Sequence, residues 1–373
     1  MTGPVVLFAG GGTGGHLLPG VAAAARLREL APGARVIFAT TDRDEAGAWG
    51  AAAGEERLPL ASPRLPRRLR EVGGFVRGFA SSFGGSVGAL RRHGVDAVVC
   101  LGGYGSVGPG LAALATGRPA FVLEANVVPG AANRLLTRLG ATAAISFEET
   151  GGLLPRRRSV HTGNPLRSSV LEVRRDPGAF GLDGSAPILA VVGGSLGASG
   201  LNLRLSQVLP LLAAEGIQLI WVAGPGDSPA MEASVRRAGV KAQVLPFCRD
   251  MGALYGTADL LLARAGGGSV AEVAALGVAA VFVPYPHHAD RQQARNAAAL
   301  ADRGAARVIE EADLTPERFR ERVLPLLRDA GERGRMAAAA RERGRPDAAD
   351  RVARLVLERV GAPGPAGASG AGR

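Results

Sequence analysis

Short apolar runs and longer segments with helical periodicity alternate along almost the whole chain. Apolar runs of this length, bounded by turn residues, are typical of buried strands in parallel sheets. One series of runs lies near 5–9, 35–40, 96–101, 119–124 and 142–146, and a second near 187–192, 217–223, 242–247, 258–263 and 279–283. Strands that alternate with helices in this way predict an α/β protein with parallel sheets.

A glycine-rich segment follows the first strand of each series, at 10–15 and at 193–197. This internal duplication predicts two Rossmann-like domains whose parallel sheets face each other across a cleft, where open α/β sheets bind ligands. We expect an N-terminal domain over 1–165, a second domain over 166–345, a C-terminal helix over 346–361 and a disordered tail over 362–373.

The first glycine loop connects an apolar strand to a helix and ends at His16. Glycines permit close backbone approach, and a helix N-terminus offers free N–H groups to a phosphate. His16 at its mouth is a candidate acid or base. Because the loop satisfies GxGxxG and Asp42 closes the next strand, a nicotinamide-binding domain is one alternative, and a purely structural turn is another. Phosphate-type loops in both halves disfavour a dehydrogenase, which needs one dinucleotide site.

The chain has 373 residues, a net charge of +11, and Lys241 as its only lysine. This balance favours an anionic partner, which could be a phosphorylated substrate or an acidic membrane surface. We expect no nucleic acid partner, because aromatic residues make up 4% of the chain and no recognised binding module is present. Without a recognisable secretion signal or membrane-spanning run, the sequence predicts a cytosolic protein. Cys100 and Cys248 lie in apolar surroundings and indicate neither a disulfide framework nor a metal site.

In the second half, the segment 264–272 follows a strand and contains three consecutive glycines, which suit a diphosphate. Glu272 could accept hydrogen bonds from ribose hydroxyls, or it could form a capping box with Ser269 as the N-cap. The segment 290–293 offers polar groups to sugar hydroxyls, although Asp290 could instead be the N-cap of the next helix. The adjacent histidines at 287–288 are not expected to bind metal.

Other polar residues follow strands of the first half or lie near the predicted domain boundary. Glu124 and Asn126 come directly after the strand near 119–124, and Arg167 at the domain boundary is suited to gripping phosphate. The DxD pattern at 42–44 matches metal-dependent glycosyltransferases, but it lies where a helix cap is expected.

Together these segments resemble the MurG family of cell-wall glycosyltransferases over about residues 5–360. The motifs that carry the resemblance are GGGTGGHLLPG (10–20), GGYGS (102–106), GNPLR (163–167), GGSLGASGLN (193–202), RAGGGSVAE (264–272) and DRQQ (290–293). The resemblance implies a GT-B fold and an inverting, metal-independent transfer that needs no cofactor. N-acetylglucosamine would pass from UDP-GlcNAc to lipid I, the undecaprenyl-diphosphate-linked N-acetylmuramoyl-pentapeptide, to form lipid II.

The enzyme would then act as a peripheral protein at the cytoplasmic face of the plasma membrane. Alternatives on the same fold are another UDP-sugar transferase, a UDP-GlcNAc 2-epimerase and a non-catalytic paralogue.

The resemblance also implies roles for individual residues. Separately, inversion needs a base for the acceptor hydroxyl, and His16 is the first candidate for this catalytic role and Glu124 the second. Glu272 would bind the ribose, Gln292 and Gln293 the GlcNAc hydroxyls, and the backbone at Cys248 the uracil. The remaining substrate-binding positions would be Thr13, Gly14, Gly15, Asn126, Arg167, Ser195, Gly267, Gly268, Ser269, Val270 and Ala271. The sequence departs from the family at 123–126, which reads LEAN instead of HEQN, and in the tyrosine loop, which reads GGYGSVG instead of the commoner GGYVS-type run.

Residues 64–83 combine a helical aromatic stripe with arginines. Phe75, Phe79 and Phe83 recur every four residues, with Val72 and Val76 beside them. The arginines that flank the stripe are Arg64, Arg67, Arg68, Arg70 and Arg77. The stripe could simply pack on the first domain's sheet, but a lipid-linked acceptor favours docking on the anionic inner leaflet.

Overall fold

The computed structural model describes residues 3–10, 14–40, 54–62, 68, 71–194, 197–288 and 290–361. The chain divides into two compact units. Unit 1 comprises Met1–Arg167 and Asp347–Arg373, and unit 2 comprises Ser168–Pro346. The predicted disordered tail at 362–373 lies outside the described residues.

Unit 1 is built on a parallel sheet of seven strands in the order β3-β2-β1-β4-β5-β6-β7. The strands are β1 (Val5–Ala9), β2 (Arg35–Thr40), β3 (Glu56–Pro59), β4 (Ala97–Cys100), β5 (Ala120–Glu124), β6 (Thr142–Ile145) and β7 (Ser159–His161). The helices are α1 (Gly14–Leu30), α2 (Val72–Arg92), α3 (Val107–Ala115), α4 (Ala131–Leu139) and a C-terminal helix, Ala348–Arg359.

Alternate residues of the central strands form two separate cores, one on each face of this sheet. On one face, Phe8 packs in a cluster with Leu27 of α1 and Val356 of the C-terminal helix. On the other face, Leu7 packs in a cluster that includes Leu136 of α4. Burial of both faces explains why these strands are continuously apolar in sequence.

Unit 2 has a parallel sheet of six strands in the order β10-β9-β8-β11-β12-β13. The strands are β8 (Ile188–Val192), β9 (Gln218–Val222), β10 (Ala242–Leu245), β11 (Leu260–Ala263), β12 (Ala280–Phe282) and β13 (Arg307–Val308). The helices are α5 (Ser168–Leu171), α6 (Ser199–Ala214), α7 (Ser228–Ala238), α8 (Met251–Thr257), α9 (Gly267–Leu276), α10 (Gln292–Ala301), α11 (Pro316–Arg322), α12 (Leu324–Arg328) and α13 (Ala330–Arg343).

Both sheets reverse their strand order at one point, between β1 and β4 in unit 1 and between β8 and β11 in unit 2. Loops that leave the carboxyl ends of strands at such a reversal diverge and open a crevice. The glycine-rich segments of the sequence follow these four strands. The topology therefore places the candidate motifs where an open sheet binds its ligands.

The predicted fold class is confirmed, and each predicted strand is present within a few residues of its expected position. Three strands were not predicted: β3, β7 and β13, all at sheet edges. Edge strands are short and exposed, so they lack a continuous apolar run. In β3, for example, Glu56 forms an ion pair with Arg35 of the neighbouring strand. Such polar residues interrupt the apolar run by which a strand is recognised in the sequence.

Candidate active site

In unit 1, the loops after β1 and β4 touch through their backbones. Gly10 has φ +98°, and a Cβ at this position would lie 2.4 Å from the carbonyl oxygen of Gly102. Only glycine fits such an approach. Helix α1 begins at Gly14, so Gly14 and Gly15 form its first turn, whereas Thr13 lies outside the described residues.

The His16 ring packs against this contact. A Cβ on Gly102 would lie 3.3 Å from His16 Cδ2 and 3.5 Å from His16 Nε2. Burial lowers the pKa of His16 below its ordinary value of 6.5, and the nearby Glu124 carboxylate opposes that shift. A neutral imidazole at neutral pH can accept a proton, which is what a general base requires.

Glu124 ends β5 and is only 3% exposed. Its Oε1 accepts hydrogen bonds from the backbone N–H of Asn126 at 3.0 Å and from Asn126 Nδ2 at 3.3 Å. Its Oε2 accepts from the backbone N–H of Gly130 at 2.8 Å and from Asn133 Nδ2 at 2.9 Å. Both oxygens thus hold the loop between β5 and α4, an arrangement that suits a structural anchor better than a base.

Asn126 and Asn133 connect this carboxylate to its surroundings. The carbonyl oxygen of Asn126 accepts from Thr150 Oγ1 at 3.0 Å, and Asn133 Nδ2 also donates to the carbonyl oxygen of Leu123 at 3.0 Å. Asn133 Oδ1 is buried without a hydrogen-bond partner among the described residues. Sequence analysis missed Asn133, although it lies on the buried face of an otherwise amphipathic helix.

Arg167, the last residue of the first segment of unit 1, is partly exposed.

In unit 2, the glycine loop after β8 leads directly into the N-terminus of α6. Gly194 and Gly197 have φ of +101° and +80°, and a Cβ on Gly197 would lie 2.8 Å from the carbonyl oxygen of Ala223. The N-cap residue, Ala198, makes no side-chain capping bond. No side chain of the N-cap residue therefore occupies the first turn of α6, and N–H groups at such a helix start can bind anions. Ser195 lies outside the described residues.

A cavity of about 430 Å³ opens beside this loop. Its lining combines loop and helix backbone with polar side chains, among them Arg264, Tyr285, His287, Gln293 and Glu311. A volume of this size matches sites for small ligands. The geometry therefore makes this cavity the candidate ligand site of unit 2.

Arg264 is the charged centre of the cavity, and sequence analysis did not single it out. It is 5% exposed. Its Nη1 donates to the carbonyl oxygens of Val283 and Pro284 at 3.1 and 3.2 Å, and its Nη2 forms an ion pair with Glu311. The guanidinium also lies 5.6 Å from the centre of the Tyr285 ring. With these partners the cation is fixed in place before any ligand arrives.

Gln293 links the two loops that flank Arg264. Its Oε1 accepts from the backbone N–H groups of Ala265 at 3.2 Å and Tyr285 at 2.9 Å. Gln292 is the first residue of α10, and its N–H donates to Asp290 Oδ1 at 3.2 Å. The alternative that Asp290 is the N-cap is wrong by one residue, because Arg291 occupies that position with φ +50°.

Glu272 lies on α9, whose first six residues are the candidate nucleotide-binding positions Gly267, Gly268, Ser269, Val270, Ala271 and Glu272. The capping-box alternative is wrong, because the helix begins two residues before Ser269 and its N-cap is Gly266. Glu272 instead accepts a hydrogen bond from the hydroxyl of Tyr255. Cys248 is buried near Tyr255, and burial raises the pKa of its thiol to about 11.

Within the described residues, no group of three or more His, Cys, Asp or Glu is placed to hold a metal ion. The DxD pattern at 42–44 lies outside the described residues.

The aromatic stripe of residues 75–83 lies on α2, as the periodicity predicts. Phe75 and Phe79 are half-buried and stack with ring centres 6.2 Å apart, while Phe83 packs against the core of the sheet. Val76 is 59% exposed, and Arg77 is exposed beside it. The C-terminal end of the stripe thus packs against the core, whereas its N-terminal end is partly exposed to solvent. Arg64, Arg67, Arg70 and the side chain of Val72 lie outside the described residues.

No helix among the described residues is long and apolar enough to cross a bilayer.

Comparison with known proteins gives consistent matches over most of the chain. Residues 6–145 match the glycosyltransferase family 28 N-terminal domain, and residues 188–352 match its C-terminal domain. The UDP-N-acetylglucosamine–N-acetylmuramyl-(pentapeptide) pyrophosphoryl-undecaprenol N-acetylglucosamine transferase of Chlorobaculum tepidum is 37% identical over 371 residues, covering 94% of this chain and 98% of the relative.

Two solved structures extend the comparison. The crystal structure of Acinetobacter baumannii MurG superposes with a TM-score of 0.76 and 30% identity, covering 95% of this chain and 99% of that one. A UDP-GlcNAc 2-epimerase from Neisseria meningitidis, with a TM-score of 0.66 and 14% identity over 95% of this chain and 99% of its own, shares the fold alone.

Proposed function

Because the chain belongs to glycosyltransferase family 28, we propose that it transfers N-acetylglucosamine from UDP-GlcNAc to lipid I and so forms lipid II. The observation that carries this proposal is the 37% identity to a transferase of that name over 94% of the chain. An identity that spans both units includes the donor and the acceptor motifs, whereas the shared fold alone would leave the reaction open.

We assign donor binding to unit 2. The diphosphate of UDP would lie at the N-terminus of α6 with Ser195 of the glycine loop, where N–H groups meet negative charge. Glu311 already neutralises Arg264, so those N–H groups carry much of the stabilisation of the leaving group. Gly267–Glu272 would hold the nucleoside, with Glu272 on the ribose, the backbone at Cys248 on the uracil, and Gln292 and Gln293 on the sugar.

We assign the acceptor and the proton transfer to unit 1. The acceptor hydroxyl attacks the anomeric carbon while the bond from that carbon to the diphosphate oxygen breaks, so the configuration inverts and UDP leaves. His16, held neutral by burial, accepts the hydroxyl proton. Glu124 is the weaker candidate because four donors already occupy its oxygens. Thr13, Gly14, Gly15, Asn126 and Arg167 complete the proposed substrate-binding set.

We further infer that the protein works as a peripheral enzyme on the cytoplasmic face of the plasma membrane. The support is the exposed N-terminal part of the α2 stripe, where Val76 adjoins Arg77. An apolar surface bordered by cations binds an anionic leaflet through both burial and charge.

The test is an assay of labelled UDP-GlcNAc with a lipid I analogue. We expect a disaccharide-lipid product and stoichiometric UDP, with the rate unchanged by EDTA. Conversion of UDP-GlcNAc to its 2-epimer without any acceptor would instead identify an epimerase. Loss of activity on chelation would contradict the metal-independent mechanism.

A further inference from the structure

Tyr255 is a buried tyrosine of α8 whose hydroxyl contacts Glu272, the residue assigned to the ribose. It is 3% exposed, and its hydroxyl donates to Glu272 Oε2 at 2.5 Å. Burial raises the pKa of Tyr255 well above 10, and the Glu272 carboxylate raises it further. The phenol therefore remains protonated at physiological pH and serves as a permanent donor to the carboxylate.

Contacts at the start of α8, the helix that contains Tyr255, also hold the segment around Cys248, which we assign to the uracil. Cys248 Sγ lies 3.3 Å from the carbonyl oxygen of Asp250, to which it donates, and Asp250 Oδ1 accepts from the backbone N–H of Ala253 at 2.9 Å as the cap of α8. Cys248 is near enough to affect the pKa of Tyr255. One short helix thus connects residue 248 to residue 272.

We propose that Tyr255 is a positioning residue for nucleotide binding, which holds the Glu272 carboxylate in the orientation that receives the ribose hydroxyls. This inference rests on the proposed donor site. A glutamate has several rotatable bonds, so a carboxylate that is ordered only on binding reduces affinity. The Tyr255 hydroxyl orders it beforehand, because a hydrogen bond to a charged group is stronger than one between neutral groups.

The test uses Tyr255→Phe, which keeps the ring and removes the hydroxyl. Calorimetry should show UDP binding about tenfold weaker, which corresponds to about 1.4 kcal/mol. Because the loss concerns the ribose, the preference for UDP over 2′-deoxy-UDP should shrink. The KM for UDP-GlcNAc should rise by a similar factor while kcat changes less than about twofold, since the interaction acts on ground state and transition state alike.

Thr257→Val is the matched control. Thr257 is also buried on α8, but its hydroxyl accepts from the backbone N–H of Asp176 at 2.9 Å and does not contact Glu272. Both variants lose one buried hydroxyl, so both should melt at lower temperature. Only Tyr255→Phe should weaken UDP binding, and this separates positioning from a general loss of stability.

A double-mutant cycle with Glu272→Gln completes the test. If Tyr255 acts through Glu272, the double variant should bind UDP no more weakly than Glu272→Gln alone. Additive losses, or wild-type affinity in Tyr255→Phe while Glu272→Gln is impaired, would overturn the positioning role and leave the donor site intact. Unchanged affinity in Glu272→Gln would instead contradict the donor site itself and the inference with it.

Discussion

The replacement Glu124→Gln separates two roles for the buried carboxylate of unit 1. A glutamine offers one acceptor oxygen and one donor NH₂ group, whereas the four groups around Glu124 are all donors. Whichever way the amide turns, its NH₂ group faces two donors on one side. The side-chain amides of Asn126 and Asn133 can turn an oxygen toward this NH₂ group, but the backbone N–H on that side loses its acceptor in a site that is 3% exposed in the native protein.

The cost follows from these contacts. A buried donor without a partner costs about 1–3 kcal/mol, and the variant leaves one such backbone donor. For a unit of this size, each kcal/mol lowers Tm by roughly 2–4 °C. We therefore expect a fall in Tm of roughly 2–12 °C. Hydrogen exchange should also accelerate at one of the two backbone amides, that of Asn126 or that of Gly130, because the one that faces the NH₂ group loses its acceptor.

The assays are calorimetric melting, hydrogen exchange and the transfer assay on the folded variant. Exposed Glu149 provides the matched control, since Glu149→Gln should change stability by no more than about 0.5 kcal/mol. If Glu124 is the general base, kcat should instead fall by about 10²–10⁴ with Tm nearly unchanged. That second pattern would refute the structural role.

The remaining predictions concern the donor site, the base and the membrane. Glu272→Gln should weaken UDP binding by about 1–3 kcal/mol in calorimetry, and unchanged affinity would contradict the ribose assignment. His16→Ala should slow transfer by about 10²–10⁴ while UDP still binds, and a wild-type rate would exclude His16 as the base. Because burial lowers the pKa of His16, the wild-type rate should fall to half its plateau at a pH below 6.5, as the imidazole becomes protonated. Vesicles with anionic lipid should sediment the protein, less so at high salt or after replacing Arg67 and Arg68 with Glu, and equal binding to neutral vesicles would rule out electrostatic docking.

The sequence predicts the fold well because its strongest signals are local. Continuous apolar strands and glycine-rich turns can be recognised within a short window of sequence, and they predicted every strand of both sheets except three of the four edge strands. The start of α9 shows the limit: Ser269 and Glu272 have capping-box spacing, but the helix begins at Gly267, with Gly266 as a cap that needs no side chain.

The parts of the site that could not be predicted are pairs that are distant in sequence. Arg264 and Glu311 are 47 residues apart, and Tyr255 and Glu272 are 17 apart with a strand between them. No periodicity or motif in the sequence predicts such pairs, because they depend on which loops meet at the strand ends. Glu124 was recognised as a candidate, but its four donors come from a loop whose course the sequence does not specify.

In both units a second polar residue interacts with a group of the candidate site. In unit 1, Glu124 opposes the effect of burial on His16, and in unit 2, Glu311 pairs with Arg264 while Tyr255 donates to Glu272. Hydrogen bonds that are satisfied before binding avoid reorganisation when the ligand arrives, which is how fixed dipoles stabilise charge in a site. It follows that substitutions at these supporting residues should alter affinity or stability more than the chemical step. Substitution at His16 should do the reverse, and comparing kcat with KM across the two groups tests that division directly.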